Sequence, residues 1–118
     1  MTIDPDYMRV IISHLENGEI TDSLAHDIII ACGYDYLREQ KYLFNSELLC
    51  SVNIAIEFTD TVLPGRIWTI HRDGASLRTK WNRNIWAEGA PAMALVLATL
   101  KVLLIEADGM EGRNHGSR

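Results

Sequence analysis

The chain has 118 residues, 47% of them hydrophobic and 23% charged, with a net charge of -5. One globular domain fits that length and composition; disorder and a disulfide-stapled fold do not. Cys32 and Cys50 make no CxxC pair and no disulfide framework. The longest apolar run, residues 92–105, is broken by Thr99 and Lys101 and is too short for a bilayer span, which needs about 20 residues. Residues 1–13 carry acids early and no continuous apolar stretch, unlike a signal peptide. The expectation is a soluble protein of the cytoplasm with no membrane partner.

Asp4 and Pro5 open the first helix, as N-cap and N1 residues. Met8, Ile11, Ile12 and Leu15 then form one apolar stripe, and Asn17-Gly18 stops it. A second helix is expected from Thr21 or Asp22, burying Leu24, Ile28, Ala31 and Cys32 and ending at Gly33. The short link between the two predicts a helical hairpin. Residues 34–45 show no period. Residues 46–63 fit both a strand and a helix, and their length favours a helix capped by Ser46 and stopped by Pro64-Gly65.

Asp73-Gly74 between two alternating segments predicts a hairpin with a type I′ turn and Gly74 at positive φ. That register sets Ile70 opposite Leu77 and Trp68 opposite Thr79. It buries the face carrying Trp68, Ile70, Leu77 and Trp81. A turn at Asn82-Arg83 leads into a third strand, residues 84–88. Pro91 starts a last, very apolar helix, which must be buried across the sheet and is stopped by Gly109. The fold class is therefore α+β. A three-stranded antiparallel sheet in an α-β-β-β-α unit packs against helices and follows an N-terminal helical hairpin. Residues 1–109 form the domain, and residues 110–118 are expected to be a disordered tail.

The chain resembles the phage ABA-sandwich family of small phage-encoded proteins. The resemblance rests on Leu15-Glu16, Ala31-Cys32-Gly33-Tyr34, Val62-Leu63-Pro64-Gly65, Ile67-Trp68-Thr69-Ile70, Arg72-Asp73-Gly74 and Ala87-Glu88-Gly89-Ala90-Pro91-Ala92. It spans most of residues 8–105. These are caps, turns and core positions, so the resemblance implies a fold and a phage or prophage origin and carries over no site residues. It also implies a helix over residues 46–63.

No residue pattern points to catalysis. His14, His26, His71 and His115 lack metal-ligand spacing, and surface imidazoles explain them better than a site does. Cys32 falls on a core-facing helix position, where a thiol packs as a small hydrophobe. No GxSxG and no phosphate-binding glycine loop occurs. The protein is thus expected to be no enzyme and to need no cofactor or metal.

Charge is the remaining signal. Residues 1–50 hold nine acids and three bases, whereas residues 66–83 hold five bases and one acid. Such polarity concerns partners rather than fold. Two candidate surfaces follow. Glu16, Glu19 and Asp22 on the N-terminal helices could mimic phosphate charge toward a nucleic-acid-handling protein. Arg78, Lys80 and Arg83, beside Trp68, Trp81 and Trp86, could bind a partner through the hairpin at residues 66–83. The α-β-β-β-α order is also that of double-stranded-RNA-binding domains. Those place lysines at the start of the last helix, where this chain reads Glu88-Gly89-Ala90-Pro91-Ala92. An isoelectric point near 5.2 also opposes a polyanion. The leading expectation is a non-catalytic phage accessory protein that binds a host or phage protein, in the manner of an anti-CRISPR inhibitor of a bacterial defence system. A nucleic-acid-binding or virion-assembly module using the basic hairpin is the alternative.

Overall fold

Helix α1 runs from Pro5 to Glu16, and its start is capped as the sequence predicts. The Asp4 carboxylate accepts the backbone N–H groups of Asp6 and Tyr7 at 3.1 and 3.3 Å. Gly18, at φ +73°, ends it. Met8, Ile11, Ile12 and Leu15 are all buried. Helix α2, Leu24–Ala31, touches α1 and buries Leu24, Ile28, Ala31 and the following Cys32. The computed structural model describes residues 4–19, 24–32 and 48–108. The expected link of the helical hairpin, the second helix start at Thr21 or Asp22, the Gly109 stop and the C-terminal tail lie outside those residues.

In the described part of the ambiguous segment, residues 48–63, a helix forms rather than a strand, over a shorter range than expected. Helix α3 spans Val52–Val62 and buries Ala55, Phe58, Thr59 and Val62. Its cap is Ser51, whose hydroxyl accepts the Ile54 N–H, rather than Ser46, which lies outside the described residues. Starting at Val52 turns the buried face toward Phe58 and leaves Val52 at the surface.

Strands β1 (Trp68–His71), β2 (Gly74–Arg78) and β3 (Asn84–Glu88) form an antiparallel sheet in the order β1-β2-β3. The observed register differs from the expected one. Trp68 pairs with Leu77, Ile70 with Ala75 and His71 with Gly74. The turn therefore consists of Arg72 and Asp73, and neither has positive φ. Gly74 is absent from the positive-φ glycines and sits inside β2. The cause is packing. A Cβ on Gly74 would come within 2.5 Å of Trp86 Cζ2 and still closer to the Ala87 carbonyl oxygen. Glycine is demanded here by the approach of β3, not by a turn. The slip is two residues, so side chains keep their predicted faces. Strand β2 also ends sooner than expected. Trp81 lies in the following loop and is 40% exposed, not buried.

Helix α4, Pro91–Asp108, is the centre of the molecule. The sheet packs on one side of it, and α1 and α3 on the other. Residues 94–100 are consequently buried without a break. A helix sandwiched between two layers needs apolar residues all round, which explains its lack of a polar stripe. The one polar group in this stretch is satisfied. Thr99 donates its hydroxyl proton to the Leu95 carbonyl and accepts one from Thr59 of α3, both at 2.8 Å. Among the described residues, no helix is long and apolar enough to cross a membrane.

Candidate interaction surface

Thr79 organises the loop that joins β2 to β3. Its buried hydroxyl accepts the N–H groups of Trp81 and Arg83, at 3.2 and 3.1 Å. Its own N–H donates to the Arg83 carbonyl, and Asn82 adopts φ +68° to close the turn. Asparagine tolerates that left-handed conformation better than most residues. The loop therefore presents its side chains on a defined frame. Lys80 Nζ stands 4.9 Å from the Trp81 ring centroid, within cation–π range. The Arg78 guanidinium donates to Asn82 Oδ1 at 3.0 Å and holds itself against the loop. Beside them lies a groove of about 350 Å³, lined by Arg66, Ile67, Arg78, Lys80 and Asn82 among others. Ile67 is 63% exposed at its rim.

Glu106 ties this end of the sheet to α4. Its carboxylate takes both guanidinium arms of Arg66 and the backbone N–H of Lys80, the last at 2.7 Å. An acid near a helix C-terminus opposes the helix dipole. Here the Arg66 fork and the Lys80 amide offset that cost. Burial raises the Glu106 pKa, but these hydrogen bonds and the two positive charges outweigh it and hold the carboxyl below its ordinary range. Its pairing with Glu106 likewise raises the Arg66 pKa. A lowered folded-state pKa means the contribution is complete above the ordinary glutamate range and is lost as pH falls through the folded value. Glu106→Gln is expected to cost about 2 kcal/mol at neutral pH, as one charged partner of a half-buried pair disappears. Chemical denaturation from pH 7 down to pH 3 checks this: the variant should lose less stability than the wild type on acidification. Parallel losses would mean that Glu106 is not ionised in the fold.

The structure separates the two predicted surfaces. Arg78, Lys80 and Arg83 are brought together at the β2–β3 loop, with Trp81 between them. The acids are not gathered in the same way. Glu16 pairs with Lys101 of α4 at 2.9 Å, and Glu19 meets His14 at 3.0 Å. Asp22 lies outside the described residues, as does the His26 side chain. Sequence reasoning missed Glu106. An acid in the last turns of an apolar helix, against the dipole, was the available signal for it. Ile67, on the hairpin face opposite the core in the sequence pattern, is exposed as that pattern implies.

Among the described residues, no three His, Cys, Asp or Glu side chains converge as a metal site would require. Cys32 is buried, and burial pushes its thiol up to about 12, so it stays protonated and unreactive at neutral pH. The fold and surface thus define a small α+β protein whose last helix lies between a three-stranded antiparallel sheet and a layer of helices. Comparison with family models, curated proteins and solved structures gives no match for this chain.

Proposed function

We propose that this protein is a non-catalytic binding module that holds a protein partner on the basic, aromatic end of its sheet. The observation that carries this reading is the Lys80–Trp81 pair, set on the Thr79-organised loop beside exposed Ile67 and the groove. Tryptophan and arginine are the residue types that concentrate binding energy at protein interfaces. A frame ordered before binding also reduces the entropy lost on association. Arg78, Lys80 and Arg83 suit a partner with acidic groups around an apolar spot. The net charge of -5 favours a protein over a nucleic acid, because a chain that is negative as a whole repels a polyanion. The phage-accessory role rests on the sequence resemblance alone. It makes a host protein of a bacterial defence system, met in the host cytoplasm, the first partner to assay.

Capture from a bacterial lysate tests this, with the wild type, Trp81→Ala, Arg78→Glu with Lys80→Glu, and Glu16→Lys with Glu19→Lys as baits. The expected result is a partner retained by the wild type and by the Glu16/Glu19 variant but lost from the other two. Trp81→Ala should weaken the isolated complex about 30-fold, the size of an interface hot spot. Retention that fails only in the Glu16/Glu19 variant would move the contact to the N-terminal helices and overturn the assignment. A mobility shift of DNA or RNA that Arg78→Glu with Lys80→Glu abolishes would instead support the nucleic-acid alternative.

A further inference from the structure

The hydrogen bonds at the two ends of the β2–β3 ladder reveal which backbone groups of β3 remain outside it. Thr79 donates to Arg83 and Gly89 donates to Asp73, at 2.8 and 2.9 Å. In an antiparallel ladder the bonded pairs alternate. With Ala75 opposite Ala87 and Leu77 opposite Ile85, residues 85 and 87 turn their N–H and C=O groups toward β2. Asn84, Trp86 and Glu88 turn theirs to the open edge. All three are exposed. The strand has no proline and no bulge along this edge, two devices that ordinarily block pairing. The other edge strand, β1, is shorter: the Arg78 N–H to Ile67 carbonyl bond leaves only Trp68 and Ile70 facing outward within it.

We propose that the protein forms a two-fold homodimer by antiparallel pairing of β3 with β3 of a second copy, joining the two sheets into one. Four features fit such a pairing. Trp86, the middle residue, has outward-facing groups, so a two-fold axis at Trp86 pairs it with itself and Asn84 with Glu88 of the second copy. Every outward group of β3 then finds a partner in phase. No like charges meet, because Glu88 faces an amide rather than another acid. On the α4 side of the edge lies a cavity of about 300 Å³, bordered by Glu16, Trp86, Glu88, Leu97 and Lys101. Ile85 of the second copy, opposite Ala87, points to that same side and occupies part of it. On the other face, Trp86 already packs at 5.4 Å against His71 and over Gly74, which leaves room for its counterpart beside it.

Sedimentation equilibrium across a wide concentration range tests the pairing. The wild type should pass from one copy to two as concentration rises. Trp86→Pro removes an N–H that the protein's own sheet does not use, so it should keep the native circular dichroism and remain a single copy. Asn84→Lys sets a cation opposite Glu88 twice per dimer and should tighten association about fivefold. A single copy at every concentration for the wild type and for Asn84→Lys overturns the proposal. So does a dimer that Trp86→Pro leaves intact. If Trp86→Pro loses its native spectrum, Asn84→Lys decides: a dimer no tighter than the wild type overturns the β3 register, and a tighter one supports it.

Discussion

Gly74→Ala is expected to destabilise the fold by about 3 kcal/mol, the upper range for forcing an atom into packed surroundings. The new methyl group would collide with the Ala87 carbonyl oxygen and the Trp86 ring. The first is backbone of the neighbouring strand and cannot swing aside. The second is held by His71 of β1 on the same face of the sheet. Gly18→Ala is the control. Gly18 has φ +73° and nothing within 4 Å of an added Cβ, so only backbone strain of about 1 kcal/mol is expected there. Urea unfolding of both variants separates the two causes. A loss at Gly74 no larger than at Gly18 would mean that β3 does not approach β2 so closely.

Leu100→Ala should cost about 2–5 kcal/mol, the range for removing a large side chain from a core that cannot collapse around the gap. Leu100 is fully buried in the stretch of α4 enclosed by the sheet and the helices. Both layers are held by their own backbone hydrogen bonds, so relaxation into the cavity is limited. Leu104→Ala, one turn later at a half-buried position, should lose clearly less. Equal melting temperatures for the wild type and Leu100→Ala would displace α4 from the centre of the fold.

Much of the candidate surface was legible only in part. Arg78, Lys80 and Arg83 are close in sequence, so their gathering at one loop needed no tertiary contact. Trp81 reads as a core residue because it continues the alternation of β2. It is exposed because Thr79 diverts the chain into a loop two residues earlier, using a side-chain hydrogen bond that no hydrophobic period records. Glu16 and Glu19 read as a free acidic patch. Lys101, far away in the chain, takes Glu16 as a partner once the helices pack, and His14 takes Glu19 locally at the end of α1.

Local chemistry in the sequence by itself determined where most elements start, stop and turn their apolar faces. Asp4 and Pro5 begin α1, Gly18 ends it, and the spacing of Met8, Ile11, Ile12 and Leu15 selects its buried side. Pro91 begins α4, and its apolar length demands burial on more than one side. These signals act within a few residues, so they survive without knowledge of the rest of the chain. Tertiary structure alone decided the strand register, the role of Gly74 and the partners of Glu106. Asp73-Gly74 satisfies the local rules for a turn, yet the close approach of Trp86 and Ala87 draws Gly74 into the strand. The energy of that contact belongs to residues more than ten positions apart, and no local pattern contains it.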